Sequence, residues 1–296
     1  MEKSEIRNPK SKIPKVCLTI AGLDPSGGAG IVADIETFSA FGCFATCAIT
    51  SLTFQNTTGV FGAVHQTAET VRGQIEPILQ DFTVAALKTG MLPMQSVIEE
   101  TARIIKENNL PNLVVDPVVR STSGYDLITD EALRSLIKNL FPLAEIVTPN
   151  LPEAERIAQM KIENETDIER AARIMQSFGA KNVLIKGGHF FGRQSAEGGR
   201  RKAEGGRQSA EGKRRAVDYL FVGDAMQVFE AEFIETTATH GTGCTLAAAI
   251  VANLALGKTL PEAIEIAKRF VTATIRAAPR LGSGHSPVNR LIREFR

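Results

Sequence analysis

The sequence predicts an α/β fold, with a mostly parallel central sheet and helices on both of its faces. Short β-branched runs alternate with amphipathic stretches of helical length along the first two thirds of the 296-residue chain. Strands that alternate with helices need crossover connections, which join parallel strands and place helices on the sheet faces. The length of the chain suits one large core, so we predict a single domain over residues 16–296, preceded by a flexible tail at residues 1–15.

The individual elements follow from the spacing of apolar residues along the chain. Val16–Ala21 is predicted as a buried strand, and Ile31–Phe41 as a helix with one apolar face. Further strands are predicted at Ala45–Thr53, Ala85–Thr89, Leu113–Asp116, Glu145–Thr148 and Val183–Lys186. Further helices are predicted at Thr67–Gln80, Ser96–Asn108, Thr129–Leu140 and Leu151–Met160, and the capping boxes Ser96–Glu99 and Thr166–Glu169 mark two helix starts.

The last third of the chain has a different pattern. Asp218–Glu235 is predicted as a β-meander, and two long helices follow at Gly243–Leu256 and Leu260–Ala277. Before them, residues 192–215 contain a repeat of seven residues in three copies, with eight Arg or Lys and three Glu. Because alanine is the only apolar residue of the repeat, it cannot form a coiled-coil seam. We predict a disordered basic surface insertion there, and a basic tether for phosphate or RNA is the alternative.

Composition excludes several classes of function. A formal net charge of +1 argues against a dedicated nucleic-acid or membrane-surface protein, and the absence of tryptophan argues against a base-stacking surface. The longest apolar stretch, Cys244–Leu256, is too short to span a bilayer, and residues 1–15 lack the apolar run of a signal peptide. Four cysteines without CxxC spacing suit reduced thiols. We therefore expect a cytoplasmic protein with neither nucleic-acid nor membrane partners.

Two glycine-rich loops lie where a parallel α/β sheet binds ligands, at the carboxyl ends of strands. Gly22–Gly30 follows the first strand and opens a helix, although a plain tight turn is the alternative explanation. Thr239–Thr245 precedes an alanine-rich helix, and its glycines expose N–H groups suited to the charge of a transferred phosphoryl group. Cys244 lies in the first helical turn, where the dipole is expected to lower its thiol pKa; a small buried hydrophobe is the alternative.

These loops are two of seven motifs that occur together in one enzyme family. The motifs are TIAGLDPSGGAG (19–30), QNTTGV (55–60), KTGML (88–92), VVDPV (114–118), TPNLPEA (148–154), IKGGH (185–189) and THGTGCT (239–245). With them the chain resembles the hydroxymethylpyrimidine/phosphomethylpyrimidine kinases of thiamine biosynthesis, within the ribokinase-like superfamily. THGTGCT is the most specific motif, because most sugar kinases of that superfamily carry Asp at the position of Cys244.

The resemblance implies a three-layer α/β/α ribokinase-like fold and an ATP- and Mg²⁺-dependent kinase. It would phosphorylate 4-amino-5-hydroxymethyl-2-methylpyrimidine and then the monophosphate. Cys244 would accept the proton of the substrate hydroxyl, while backbone N–H groups just before it would bind the transferring phosphoryl group. Gln55 would bind the pyrimidine, since its amide matches a ring nitrogen and an exocyclic amine. The loop N–H groups belong to Gly241, Thr242 and Gly243, and the pyrimidine pocket would be completed by Gly22, Val118 and Met91.

The resemblance also implies a site for the metal and the phosphates of ATP. Asn150 and Glu153 match an NxxE motif that positions Mg²⁺ and phosphates in the superfamily, although a helix-capping arrangement is the alternative. Asp116 would supply a second oxygen ligand to Mg²⁺, and Lys186 would contact the ATP phosphates as a point charge. Asp24 contacts substrate or caps its turn, and the sequence leaves these two roles open.

Two departures and two rival functions complete the sequence evidence. The insertion follows the IKGGH motif, and Ser286 stands where the family has Gly in a GxGHGPV motif. His240 and His189 lack metal-ligand spacing, so we predict structural roles for them.

Pyridoxal or pyridoxine kinase is the close rival function, because vitamin B6 is also a flat hydroxymethyl heterocycle. A catalytically silent ligand-binding protein is the rival from another class, and relatives that are commonly dimers suggest a homodimer.

Overall fold

The computed structural model describes residues 13–120, 124–188 and 214–292. Within these residues, nine strands form one sheet in the order β3-β2-β1-β4-β5-β6-β7-β8-β9. The strands are β1 (Val16–Leu23), β2 (Phe44–Asn56), β3 (Gly59–His65), β4 (Val84–Thr89), β5 (Leu113–Val115), β6 (Ile146–Val147), β7 (Asn182–Gly188), β8 (Arg215–Val222) and β9 (Ala225–Glu232).

The helices follow the strands in the alternation that the sequence predicts. A short 3₁₀ helix, Phe141–Leu143, continues directly from the fourth helix. The α-helices of the described ranges are α1 (Gly30–Ala40), α2 (Ala68–Asp81), α3 (Gln95–Glu107), α4 (Asp130–Leu140), α5 (Leu151–Ala158), α6 (Glu165–Ser177), α7 (Thr242–Ala255) and α8 (Leu260–Arg276).

The centre of the sheet is parallel and its margins are antiparallel. β2, β1, β4, β5, β6 and β7 pair in parallel, while β3 joins β2 and the β8–β9 hairpin joins β7 in antiparallel fashion. Gly188 at the end of β7 pairs with Val217 near the start of β8, so the chain leaves and re-enters the sheet at neighbouring points. The prediction of a mostly parallel sheet is confirmed.

Two separate cores lie on the two faces of the sheet. In β1, Leu18 and Ile20 belong to a buried cluster with α2, α3, α4, α5 and α6, while Cys17 belongs to a second cluster with α1, α7 and α8. Alternate residues of a strand point to opposite faces, so each face of the sheet is covered by its own helical layer. This arrangement is the predicted three-layer α/β/α fold.

The local predictions fail at three places. The strand β3 was not predicted, and its two glycines, Gly59 and Gly62, explain why, since glycine is rare inside strands. The capping box at Ser96 is wrong, because α3 begins one residue earlier, after Met94, and that cap makes no side-chain hydrogen bond among the described residues. The capping box at Thr166 is also wrong, because Asn164 caps α6 and accepts from the Asp167 N–H.

The predicted β-meander is a hairpin of β8 and β9, which extends the sheet beyond β7. Arg215, which we had assigned to the insertion, begins β8 instead. The rest of the predicted tail and insertion lies largely outside the described residues, and so does His189. Within the described ranges, none of the helices has both the length and the apolar character needed to cross a membrane.

Candidate active site

A cavity of about 520 Å³ lies at the carboxyl ends of the parallel strands, where α/β proteins bind small molecules. Its walls come from the ends of β1, β4 and β7, from the loop before α1 and from the start of α7. Every residue that the sequence singled out for a site role lines this cavity. They are Gly22, Asp24, Gln55, Met91, Asp116, Val118, Asn150, Glu153, Lys186, Gly241, Thr242, Gly243 and Cys244.

The N-terminus of α7 opens into the cavity. Gly241 precedes the helix with φ 79°, and among the described residues no side chain caps this helix start. A Cβ at Gly241 would overlap the Gly28 carbonyl oxygen, so only glycine fits here. The Thr242 N–H, which we had assigned to a transferred phosphoryl group, instead donates to the Thr239 carbonyl at 3.3 Å. The helix start therefore presents backbone donors and a positive dipole end to the cavity.

Cys244 lies in the first turn of α7, and burial raises the pKa of its thiol. The charge of Lys88 and a hydrogen bond from the Gly30 N–H act in the opposite direction and favour the thiolate. Because Gly30 is the first residue of α1, two helix N-termini converge on this sulfur atom. The expectation of a lowered pKa was wrong, because burial and the nearby Asp116 and Asp34 carboxylates outweigh the groups that favour the thiolate.

A buried ion pair that the sequence analysis did not assign supports the floor of the cavity. Lys88 Nζ lies 3.0 Å from Asp34 Oδ2, and both side chains are fully buried. Thr19 Oγ1 donates to the same carboxylate oxygen at 2.6 Å. Burial works against the Lys88 charge, but Asp34, Cys244 and Asp116 together outweigh it and raise the lysine pKa. Lys88 thus keeps a positive charge beneath Cys244.

A second ion pair joins the strand ends of β5 and β7. Lys186 Nζ lies 3.0 Å from Asp116 Oδ1, and Thr148 donates to the same oxygen at 3.3 Å. A Cβ on Gly243 would be 3.3 Å from Lys186 Nζ, which places the ammonium group against the start of α7. Burial opposes ionisation of Asp116, but Lys186 and Lys88 outweigh it and lower the pKa of Asp116. The carboxylate is therefore ionised beside the helix N-terminus.

The NxxE segment forms a capping box at the start of α5. The Asn150 side chain accepts from the Glu153 N–H at 2.9 Å, and Glu153 Oε2 accepts from the Asn150 N–H at 2.8 Å. Glu153 Oε1 also accepts from the Val119 N–H at 3.2 Å, and burial raises the pKa of this carboxyl group. The capping role that the sequence left open is present, and both residues still line the cavity.

The donors near Glu153 suit Mg²⁺ rather than a softer metal. Among the residues that the structure describes, no group of three or more His, Cys, Asp or Glu is arranged to hold a metal ion. Asp116 and Glu153 nevertheless line one cavity and interact electrostatically. Mg²⁺ usually takes one or two carboxylates and completes its shell with water and phosphate oxygens. The pair fits that chemistry.

Asp24 caps its own turn and also lines the cavity, so the capping role is present and contact with substrate stays a prediction. Its carboxylate accepts from the Ser26 N–H at 2.8 Å and from the Ala29 N–H at 2.9 Å. His240 Nε2 lies 2.7 Å from Asp24 Oδ2, so the carboxylate also connects the two glycine-rich loops. Burial alone would raise the pKa of Asp24, but hydrogen bonds from His240 and Ser26 hold it below its ordinary value. The structural role predicted for His240 agrees with this contact.

The side of the cavity next to β2 is lined by Gln55 and by apolar residues such as Met91 and Val118. Gln55 Nε2 donates to Thr53 Oγ1 at 2.7 Å, which orients the amide at the end of β2. Met91 packs on Gly22, because a Cβ on Gly22 would be 3.3 Å from the Met91 Sδ atom. A flat ring between a thioether and a backbone strip, with an amide at its edge, suits this arrangement.

The sequence pattern did not mark a charged pair at the cavity, Lys268 and Asp218, or the buried Arg290 behind the glycine-rich loops. Lys268 Nζ lies 2.5 Å from Asp218 Oδ2, in a buried pair where α8 meets β8. Arg290, near the end of the described chain, is 2% exposed and reaches both glycine-rich loops. Neither residue stands in a recognisable motif, so no sequence pattern marks them. Lys268 and Asp218 flank an apolar part of the cavity formed by Leu246, Val271, Ile275, Phe233 and Ile234.

The fold and the site together define a small-molecule kinase of ribokinase-like fold. A family model described as phosphomethylpyrimidine kinase matches residues 24–289. The hydroxymethylpyrimidine/phosphomethylpyrimidine kinase of Haemophilus influenzae is 39% identical over 276 residues, which are 93% of this chain and 96% of that protein. The chain belongs to the phosphomethylpyrimidine kinase family.

Other relatives agree with this assignment. The thiamine biosynthesis bifunctional protein ThiED of Geobacter sulfurreducens is 42% identical over 275 residues, covering 93% of this chain and 52% of that protein. A crystal structure of phosphomethylpyrimidine kinase from Clostridium difficile has 39% identity and a TM-score of 0.72, covering 88% of this chain and 99% of that one. An ADP complex of Bacillus subtilis pyridoxal kinase has 36% identity and a TM-score of 0.80, covering 94% and 97% of the two chains.

Proposed function

We propose that this protein transfers the γ-phosphoryl group of ATP to the hydroxymethyl group of 4-amino-5-hydroxymethyl-2-methylpyrimidine, and then phosphorylates the monophosphate to the diphosphate, in thiamine biosynthesis. One observation carries the proposal. The start of α7, with Cys244, opens into the same cavity as Gln55 at one side and Lys186 at the other. The substrate that accepts the phosphoryl group, the γ-phosphoryl group and the remaining ATP phosphates can therefore bind side by side in one cavity.

Each group at the centre of the cavity has a role in the transfer. The substrate hydroxyl oxygen attacks the γ-phosphorus, the bond to the β,γ-bridging oxygen breaks, and ADP leaves. Cys244 takes the hydroxyl proton, and the N–H groups at Gly241 and Gly243 stabilise the charge on the transferring phosphoryl group. Lys186 lies against Gly243 and neutralises the phosphates. Gln55 orients the pyrimidine ring so that its hydroxymethyl group faces the start of α7.

The remaining part of the cavity suits the nucleotide. The apolar wall of Leu246, Val271 and Ile275 would contact the adenine ring, and Asn150 would contact the phosphates at the opposite wall. An ADP complex exists for the Bacillus subtilis pyridoxal kinase of the same fold, which supports this use of the cavity. ATP is thus the co-substrate, and we place the reaction with the ATP pool of the cytoplasm.

Asp116 and Glu153 would hold Mg²⁺ in this reaction. The ion would neutralise charge on the phosphates, and the two carboxylates would keep it at the phosphate side of the cavity. We expect activity to be lost in EDTA and restored by Mg²⁺. A Glu153→Gln variant should need about tenfold more Mg²⁺ for half-maximal activity, because Mg²⁺ binds an anionic oxygen more tightly than an amide oxygen. An unchanged Mg²⁺ requirement would remove Glu153 from the metal site.

Pyridoxal or pyridoxine is the second candidate acceptor. A flat apolar slot with one amide does not by itself distinguish a pyrimidine from a pyridine, and the Bacillus subtilis structure with a TM-score of 0.80 is a pyridoxal kinase. The family match and the names of the relatives favour the pyrimidine. A catalytically silent binding protein finds no support, since Cys244, Gly241 and Glu153 are all at the cavity.

We also propose a homodimer, with the β2–β3 hairpin at its interface. Leu52 pairs directly with Val64, and Phe54 pairs with Gly62, so these apolar side chains share one face of the hairpin. Phe54 is 54% exposed and Val64 is 50% exposed, which is an unusual apolar face for a monomer surface. Analytical ultracentrifugation of the wild type and a Phe54→Asp variant tests this arrangement. A monomeric wild type would contradict it.

An acceptor panel tests the proposed activity. Purified protein with ATP and Mg²⁺ is offered the hydroxymethylpyrimidine, its monophosphate, pyridoxal and pyridoxine, and ADP release is measured for each. We expect the highest kcat/KM with the hydroxymethylpyrimidine and measurable turnover of its monophosphate. Equal or higher kcat/KM with pyridoxal would favour the second candidate. Absence of turnover with every acceptor, by protein that still binds ATP, would contradict the kinase proposal.

A further inference from the structure

Arg290 is a buried cation in the last segment of the described chain. It is 2% exposed and has the largest of the fully buried side chains among the described residues. Its Nε donates to Thr245 Oγ1 at 2.8 Å, and its Nη1 donates to the Gly27 carbonyl at 3.3 Å and to Glu36 at 3.1 Å. Its Nη2 donates to the Gly28 carbonyl. One guanidinium group thus connects the loop before α1 with the first turn of α7.

The contacts of Arg290 lie directly behind the start of α7. Thr245 Oγ1 accepts from Arg290 and donates to the Gly241 carbonyl at 2.8 Å, so the guanidinium group reaches Gly241 through one hydroxyl. A Cβ on Gly241 would be 2.6 Å from Arg290 Nη2 and would overlap the Gly28 carbonyl oxygen. Gly241 therefore packs against the Arg290–Gly28 contact, and a shift of the guanidinium group would move this residue.

A second route leads from Arg290 to the same loop. The peptide unit whose carbonyl belongs to Gly28 and whose N–H belongs to Ala29 has these two groups pointing in opposite directions. Arg290 binds the carbonyl, and the Ala29 N–H donates to Asp24 Oδ2 at 2.9 Å. His240 binds that same oxygen at 2.7 Å, and His240 precedes Gly241 in the chain. Arg290 is thus linked to Gly241 through Thr245 on one side and to His240 through Gly28, Ala29 and Asp24 on the other.

We propose that Arg290 is a positioning residue for phosphoryl transfer, which fixes the N–H groups at the start of α7 where the transferring group needs them. This inference rests on the proposed kinase function and adds a residue that has no part in binding the substrates. Preorganised donors lose their effect when they move, and a misplacement of about 1 Å costs on the order of 100-fold in rate. Arginine suits this role because its planar fork binds several acceptors in fixed directions.

Arg290→Lys tests the proposal, because lysine keeps the charge but cannot bridge Thr245, Gly27 and Gly28. We expect kcat to fall about 100-fold with the KM values for ATP and acceptor within about threefold, since the lost interaction acts on the transition state. The matched control is Arg173→Lys. Arg173 also binds carbonyls of a glycine turn, at Gly223 and Asp224, but that turn belongs to the β8–β9 hairpin and to neither glycine-rich loop. That control should keep wild-type kcat.

Two further measurements separate positioning from a loss of folded protein. Guanidinium ion added to Arg290→Ala should restore part of kcat, and it should not change kcat of the Arg173→Ala control. If Arg290 variants do not fold, Thr245→Val serves instead, because it removes the hydroxyl between Arg290 and Gly241. A reduced kcat at unchanged KM in Thr245→Val would support the proposal.

Three kinetic results would contradict the positioning role of Arg290 or the kinase function on which it rests. Wild-type kcat per folded molecule in Arg290→Lys, or in Thr245→Val where that variant replaces it, would overturn the positioning role while the kinase function stands. A higher KM at unchanged kcat would overturn it as well, because it would show uniform binding instead. Wild-type protein that turns over none of the acceptors would contradict the proposed function itself, and the inference would fall with it.

Discussion

Two of the helices that begin at the cavity, α5 and α7, are built in opposite ways. α5 starts with a full capping box, in which the Asn150 and Glu153 side chains satisfy each other's backbone N–H groups. α7 starts at Gly241, in the left-handed region, without a side-chain cap among the residues that the structure describes. A capping side chain is worth only a few tenths of a kcal/mol (~0.3) relative to Gly, so α7 gives up little stability by leaving its N–H groups open. The comparison teaches that the uncapped helix start is the one shaped for a ligand.

The largest loss of activity should come from adding a side chain at the uncapped start of α7. In Gly241→Ala, the new Cβ would overlap the Gly28 carbonyl and strain a backbone with φ 79°. We expect kcat to fall by about 1,000-fold, the upper range for the loss of a transition-state donor. Steady-state kinetics with ATP and the pyrimidine measure this. Gly223→Ala is the matched control, since Gly223 also has a positive φ of 51° but has open space around its Cβ position.

The second largest loss of activity should come from removing the Cys244 thiol at the start of α7. Cys244→Ala should lower kcat about 100-fold at pH 8 with ATP affinity retained, because a general base is lost. Burial raises the thiol pKa above its ordinary value of about 8.5, so wild-type kcat should keep rising with pH beyond that value as the thiolate forms. The variant should lose this rise. Cys47→Ala, at a half-buried thiol outside the cavity, is the control.

A pH profile of kcat that is the same in wild type and Cys244→Ala would exclude the thiol as the base. Retention of wild-type turnover in Cys244→Ala would do so more directly. In either case the backbone donors at the start of α7 would remain the main source of catalysis, because phosphoryl transfer depends chiefly on positioning and charge stabilisation.

The smallest effect should come from removing the cap of α5. Asn150→Ala should lower the free energy of unfolding by about 1 kcal/mol and the melting temperature by about 2–4 °C. Thr129→Ala removes a similar cap from α4, where Thr129 accepts from the Ala132 N–H at 3.2 Å outside the cavity. We expect the two variants to melt alike, and only Asn150→Ala to raise the KM for ATP. Equal KM values would limit Asn150 to capping.

Much of the site was predictable because the family resemblance named its residues, and sheet topology explains why they converge. The motif residues follow different strands, and parallel strands bring their carboxyl ends to one edge, so residues as distant as Gln55 and Cys244 meet. The sequence also marked the alternation of strands and helices well enough to give the three-layer fold. It missed β3, although the Asn-Thr-Thr-Gly turn at 56–59 between two apolar runs is a hairpin signal.

The contacts that sequence could not reveal are those that depend on three-dimensional burial. Arg290 binds Gly27 across 263 positions of the chain, and no periodic pattern marks such a pair. The pKa of Cys244 was predicted in the wrong direction, because the helix dipole can be inferred from sequence position while desolvation cannot. The buried Lys88–Asp34 pair was missed for the same reason, since a lysine is almost never fully buried, even inside a strand such as β4.

The pairing of Gly188 with Val217 has a practical consequence for protein engineering. The chain leaves β7 and enters β8 at adjacent points, so whatever lies between them begins and ends at one place on the sheet. Lengthening a flexible connection between fixed neighbouring ends costs only about 0.6 kcal/mol for each doubling. We expect this junction to be a permissive position for grafting a reporter peptide or a whole guest domain, because the ends to be joined are already neighbours.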